Sequence, residues 1–345
     1  EISACLVGSE MCIRDSNNLV ELVGNYETEY CKKRKYPLYT GEAGWICMEC
    51  EKLYGLYERK IKTGFIISIY IVVITLIIYY ICYALDFGIF SIIIALIVSI
   101  ASAWGSYYYS DKIVLSINRA RPATEEENKK LINILDALMV SSGLQYKPQL
   151  YIMDSNQPNA FATGRDPEHS VICVTTALLD KLDYYELEGV VAHEMGHIKN
   201  YDIRLSAVLT VMVGLVIILS DFFSRAFLWG RFDDNNRGSN GIMVLVSIIL
   251  LVLAGFFGKL MKLAISRKRE FMADATAVEF TRNPDALISA LTKLDSDTSK
   301  LEQANNSTEN MYIVTPFKGK QKKANNWFST HPSIEDRIEA IKNLK

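Results

Sequence analysis

The stretch VVAHEMGHIKNYD, residues 190–202, decides how the rest of the chain is read. Only four histidines occur in 345 residues, and two of them, His193 and His197, stand four apart here. Val190, Val191, Met195 and Ile198 recur at helical spacing, so Tyr184–Asn200 reads as a helix. Side chains four apart on a helix project from one face. Two imidazole nitrogens can therefore share one ion. Glu194 is turned enough to miss that ion and still reach a water beside it.

Two ligands and a base are what a zinc-dependent hydrolase needs; a merely polar helix face is the alternative. Zinc in a catalytic site usually takes three protein ligands, so a third must come from elsewhere. SRKREFMADATAVEF, residues 266–280, reads as helix from Arg269 to Arg282 and offers Glu270 and Asp274 on one face. Glu270 would complete a His, His, Glu set. Asp274 would accept the free ring N–H of a ligand histidine and fix its tautomer. Asp202, five residues after His197, is a second candidate for that hydrogen bond. A solvated helix beside Arg267, Lys268 and Arg269 is the other reading of this segment.

The hydrophobic runs constrain how these motifs meet. Gly64–Leu85 is 22 residues without a charge, and Ile89–Tyr109 is a second uncharged run. Both are long enough to span a bilayer and are joined by the short turn Asp86-Phe87-Gly88. Leu205–Ser220 and Gly241–Gly258, 16 and 18 residues, read as spans or buried core helices. Lys32, Lys33, Arg34, Lys35, Arg59, Lys60 and Lys62 precede the first span. Lys112, Arg119 and Arg121 follow the second. Positive flanks place the N-terminus and everything after Ser110 in the cytoplasm. His197 precedes the third run and Glu270 follows the fourth. Those two runs must form a hairpin if one ion is to be shared, and the polar link Arg231–Gly241 suits that. A net charge of -2 gives no basic field for nucleic acid.

Residues 110–204 read as an α+β segment. Gln149–Met153 and Ser170–Thr175 are short β-rich runs, with PNAFATGRDPEHS (158–170) as a link broken by Gly164 and Pro167. His169 in that link reads as exposed. Asp295–Asn326 is polar and reads as a mobile loop. STHPSIEDRIEAIKNL (329–344) closes the chain as a loop and an amphipathic helix.

The N-terminal segment stands apart. EISACLVGSEMCIRDS, residues 1–16, reads as the translation of a transposase-type sequencing adapter: GAGATGTGTATAAGAGACAG encodes Glu-Met-Cys-Ile-Arg-Asp, the run from Glu10 to Asp15. Cys5 and Cys12 then drop out. Cys82 and Cys173 read as packing residues. Cys47 and Cys50 have the spacing of one zinc knuckle, with Cys31 as a third thiol. Thr28 stands where a second pair would need a cysteine. The alternatives are a partial zinc ribbon, with a second, structural ion, and three reduced cytosolic thiols.

HEMGH (193–197), then REFMAD (269–274) after a hydrophobic hairpin, with NAFATG (159–164) upstream and STHPSIEDRI (329–338) downstream, resemble the HtpX-type membrane zinc endopeptidases. The CAAX prenyl proteases belong to the same superfamily. The resemblance covers roughly residues 60–345; the cysteine segment departs from it. It implies an α+β, gluzincin-like catalytic domain on about four membrane helices, holding one catalytic Zn2+. It implies that Asn159, Ala160 and Phe161 lie on an edge strand that pairs with substrate backbone. His331 would assist the oxyanion and Arg337 would line the site. The expected layout is a cytosolic segment 17–62, a membrane hairpin 63–109, catalytic parts 110–204 and 263–345, and a second hydrophobic hairpin 205–262. The expected activity is endoproteolysis of misfolded or damaged membrane proteins at the cytoplasmic face of the cell membrane. Its partners would be protein or peptide substrates and the lipid bilayer, with no nucleic acid. A specific processing protease of the prenyl type and an inactive, metal-stabilised membrane scaffold are the alternatives. An intact Glu194 argues against the scaffold, because structural zinc needs ligands but no base.

Overall fold

The computed structural model describes residues 38–41, 44–47, 63–79, 82, 88–229, 249, 252, 267–299, 301, 308–316 and 332–344. The chain divides into two units, residues 1–65 and 66–345. In the first, β1 (Leu38–Gly41) and β2 (Gly44–Cys47) form an antiparallel hairpin with Leu38 opposite Cys47. Cys31 and Cys50 lie outside the described residues, as do residues 1–16.

The second unit is helix-rich around a small sheet. Its helical part begins with α1 (Thr63–Tyr79), which starts in the first unit, then α2 (Phe90–Tyr108) and α3 (Ser110–Ile117). β3 (Arg121–Pro122), α4 (Glu125–Ser142), β4 (Gln149–Met153), β5 (Ala160–Gly164) and β6 (Ser170–Thr175) follow. The sheet runs β3-β4-β6-β5, so β5 is an edge strand. β4 and β6 are parallel, and β5 is antiparallel to β6 with Phe161 opposite Cys173. β-rich composition alone gives β4 and β6 at these bounds but reads β5 as part of a link. All residues of both β5 and β6 are buried, but β5 (AFATG) lacks the Val and Ile residues that mark β6 (SVICVT) as a strand. Gly164 closes the β5–β6 hairpin at φ 145°, where a Cβ would lie 2.3 Å from the His169 carbonyl oxygen. Only glycine fits there. His169 is partly exposed, as the sequence suggests, and its Nδ1 lies 2.7 Å from Asp166.

α5 (Thr176–Lys181) and α6 (Tyr184–Lys199) follow the sheet. Asp183 and Glu186 form a reciprocal capping box at the start of α6. Val190, Val191, Met195 and Ile198 of α6 are buried in the main core, with Leu131, Ile134 and Leu138 of α4. α7 (Asp202–Trp229) departs from α6 at 84°. The corner is Tyr201, whose φ of 58° lies in the left-handed region. α8 (Arg267–Thr281), α9 (Pro284–Ser296) and α10 (Ile334–Lys342) complete the unit.

Among the described residues, α2 is long and apolar enough to cross a membrane, and α6 with α7 passes the same test as one bent pair. α2 turns Ser91, Ala95, Ser99, Ala103 and Ser106 inward. Ile93, Ile97, Ile100 and Trp104 are exposed. α1, 17 residues, covers the first part of the expected first span. Most of the run 241–258 lies outside the described residues.

The expected mobile loop Asp295–Asn326 is contradicted in one part. Met311, Tyr312, Ile313 and Val314 are buried. The reason is backbone pairing: the Ile313 N–H donates to the Ala160 carbonyl at 3.1 Å. This apolar tetrad therefore lies along the open edge of β5.

Candidate active site

Four elements converge at the C-terminal half of α6. His193 and His197 lie one turn apart, with their Nε2 atoms 3.2 Å from each other. α8 brings Glu270 opposite them: its carboxylate oxygens lie 3.7 Å from His193 Nε2 and 3.6 Å from His197 Nε2. One ligand atom from each residue falls within 4.8 Å of the other two, so these three could hold one metal ion. The approach depends on Gly196, where a Cβ would sit 3.2 Å from the Ala273 Cα.

Both aspartates that the sequence offers lie against a histidine ring, each a different one. His193 Nδ1 lies 2.9 Å from Asp274 and His197 Nδ1 lies 3.4 Å from Asp202. Each contact turns the ring's Nε2 towards the common centre. Arg337, from α10, is fully buried. It grips Asp274 with two hydrogen bonds, 2.8 Å from Nε and 2.7 Å from Nη2. Its Nη1 also lies 3.5 Å from Glu270. Burial alone would raise the Asp274 pKa, but the Arg337 guanidinium and the His193 ring hold it below the usual carboxylate range.

The charges fit a cation. Burial and the Arg337 charge push the His193 pKa down, which keeps the ring neutral. Burial opposes charge on His197 too, yet Asp202 and Glu270 push it up to about 9. The carboxylates thus call for positive charge at the shared centre. Two neutral-capable imidazoles and one carboxylate are a zinc donor set. Glu194 is buried beside the ligands, and burial raises its pKa to about 7. The Ala162 N–H on the β5 edge favours the charged form of Glu194 but does not outweigh burial. Ala162, His193, Glu194 and Glu270 line a cleft that Met311, Tyr312 and Ile313 also line.

The profile of Peptidase family M48 matches residues 125–345, a span that includes every one of these site residues. The chain belongs to peptidase family M48. M48 peptidases are zinc-dependent, and this chain is accordingly a metalloendopeptidase. It is 43% identical over 299 residues to a "Protease HtpX homolog" of Dictyoglomus thermophilum, covering 84% of this chain and 95% of that one. A protein of the same name from Caldanaerobacter subterraneus subsp. tengcongensis is 39% identical, covering 85% and 98%. One from Listeria monocytogenes is 38% identical, covering 71% and 86%. Among solved structures, S. mikatae Ste24p aligns at a TM-score of 0.43 with 17% identity, over 94% of this chain and 74% of that one.

In this M48 chain the structure brings His193, Glu194, His197, Asp202, Glu270, Asp274 and Arg337 together. Asn159, Ala160 and Phe161 are adjacent on and before β5. His331 lies outside the described residues, immediately before the N-cap region of α10. Sequence reasoning missed the segment Met311–Val314. Its signal was four consecutive apolar residues, Met311, Tyr312, Ile313 and Val314, inside a polar stretch.

Proposed function

We propose that this M48 peptidase cleaves peptide bonds in membrane or membrane-associated proteins, with its site on the cytoplasmic face of the cell membrane. His193, His197 and Glu270 would hold the zinc. When bound, zinc supplies Lewis-acid polarisation of the scissile carbonyl and lowers the pKa of an attacking water. Glu194 takes the proton from that water and carries it towards the leaving amine. Its buried position leaves the carboxylate poorly solvated and a better base. Asp274 and Asp202 hold the ligand rings in the tautomer that presents Nε2. Arg337 fixes Asp274. The edge of β5 receives the substrate backbone as an added strand, the general way a sheet edge binds an extended peptide. His331, which precedes the helix bearing Arg337, donates a hydrogen bond to the oxyanion.

The observation that carries this reading is the buried convergence of two imidazoles and one carboxylate with Glu194 beside them. The membrane placement is supported by the exposed apolar face of α2 and by the Lys and Arg residues that flank the first two hydrophobic runs. The test is digestion of casein by detergent-solubilised protein and by inside-out membrane vesicles, with and without a zinc chelator. Cleavage in both preparations, abolished by the chelator, is expected. Cleavage by intact right-side-out vesicles alone would overturn the orientation.

A further inference from the structure

The open edge of β5 is already in use. Thr175 N–H bonds the Asn159 carbonyl on the β6 side, so the backbone groups of Ala160 and Ala162 point the other way. The Ala162 N–H interacts with Glu194, and both residues line the cleft. Ala160 accepts from Ile313 at 3.1 Å. The next three backbone groups of this segment are captured as well. Arg337 Nη1 donates to the Ile313 carbonyl at 3.1 Å. The Val314 N–H donates to Asn159 Oδ1 at 3.4 Å, and Asn159 Nδ2 donates to the Val314 carbonyl at 2.9 Å.

Two consecutive residues thus have all four backbone polar groups held, and none of these bonds depends on what side chains the two residues carry. A protease that binds extended peptides of varied sequence needs this kind of frame. Moreover, the groups that supply it belong to the metal site: Arg337 also holds Asp274, and Ala160 lies two residues from the strand contact to Glu194. A structural strand added to a sheet would be held mainly by main-chain bonds. This segment has one such bond to β5, and its other three partners are side-chain atoms of Arg337 and Asn159. Its buried neighbours Met311 and Tyr312 line the same cleft as Glu194. Tyr312 is pinned there by its hydroxyl, which donates to Asn118 at 2.8 Å, and by an edge-on contact with the Phe161 ring.

We infer that Met311–Val314 is an internal pseudosubstrate: it fills the backbone-binding frame of the cleft and must leave before a protein substrate can enter. The inference rests on the proposal that this cleft cleaves peptides. It makes the enzyme partly latent, because substrate competes with a tethered segment at high effective concentration. The competent fraction of molecules, not the intrinsic chemistry, then sets the apparent affinity.

The test uses full-length, zinc-loaded protein in detergent and a quenched fluorescent peptide with the segment's own sequence, ENMYIVTP (309–316). Val314→Pro removes the N–H that Asn159 holds. If that variant keeps its Tm and zinc content, kcat/KM for the peptide should rise ~10-fold, as expected for a competent fraction near one-tenth. An equal or lower kcat/KM would overturn the inference and make the segment a structural wall. Should Val314→Pro fail to fold, amide hydrogen exchange on Glu194→Gln protein decides. With the peptide bound to saturation, Ile313 and Val314 should lose protection while Leu187 and Val190 in α6 keep theirs. Unchanged protection at Ile313 and Val314 would also overturn it. Zinc-loaded wild-type protein that neither binds nor cuts any peptide would instead count against the protease reading itself.

Discussion

His193 and His197 use their ring nitrogens differently. Nδ1 goes to Asp274 or Asp202, and Nε2 faces Glu270. Each aspartate should therefore matter to metal affinity without being a ligand. Asp274→Asn should weaken zinc binding roughly 10–100-fold, the usual cost of losing such a partner, as read by competition with a chelator. Unchanged affinity would mean that the ring orientation is set by packing alone. His331→Ala should lower kcat roughly 10²–10³-fold with zinc content unchanged. Loss of zinc in that variant would make His331 a ligand, and unchanged kcat would place it away from the site. At this scale the sequence is most legible where partners are close in the chain. His193, Glu194 and His197 share one helix turn, so spacing alone orients them. Asp274 and Asp202 could not be told apart as partners, because that choice depends on distances across two helices. Arg337 lies 63 residues from Asp274. No periodicity links them, and only the resemblance of its motif drew attention to it.

Between elements, α6 is the organiser. Gly196 lets α8 approach, with Ala273 Cα and carbonyl both 3.2 Å from where a Cβ would be. Both contacts are backbone, so neither moves aside easily. Gly196→Val should push α8 outward, cost roughly 1–3 kcal/mol of stability and lower zinc affinity by displacing Glu270. A variant with wild-type Tm and zinc affinity would refute the close-approach argument. At the other end of α6, Glu186 caps the helix and lies 2.6 Å from Lys293 of α9. Burial pushes its pKa up, but Lys293, Ser289 and the Asp183 N–H outweigh that and leave it lowered. A lowered carboxylate pKa stabilises the fold above the unfolded value, near 4.3, and the benefit is lost as pH falls through the folded value. Glu186→Gln should cost about 1–2 kcal/mol at pH 7, at the lower end because Lys293 is 41% exposed. The difference from wild type in a pH series of thermal melts should shrink below about pH 4. A constant difference would show that charge is not the cause. The elements themselves were unevenly legible. β4 and β6 follow from their β-rich composition. β5 does not, because Ala160 and Ala162 stand where β6 carries Val and Ile. The buried tetrad Met311–Val314 was hidden by the polar residues around it.

For the whole molecule, the candidate site and the apolar helices meet through α7, which leaves α6 at Tyr201 and packs on α1. Leu205, Val208, Leu209 and Met212 of α7 form one cluster with Tyr70 and Ile74 of α1. Detergent removal should thus disturb the site as well as the apolar surface, and activity should fall in parallel with the exposure of aggregating material. The uncharged run Ile89–Tyr109 made the span-length apolar helix α2 legible. The number of crossings was not, because Leu205–Ser220 is short enough to be core or span and becomes part of a 28-residue helix that turns sharply out of α6. The central claim is that Glu194 acts as the base beside a zinc ion held by other residues. The most direct measurement is casein cleavage by wild-type and Glu194→Gln protein, with zinc per chain determined on the same samples. The account predicts equal zinc in both and cleavage by the wild type alone. Equal cleavage by the two proteins would contradict it.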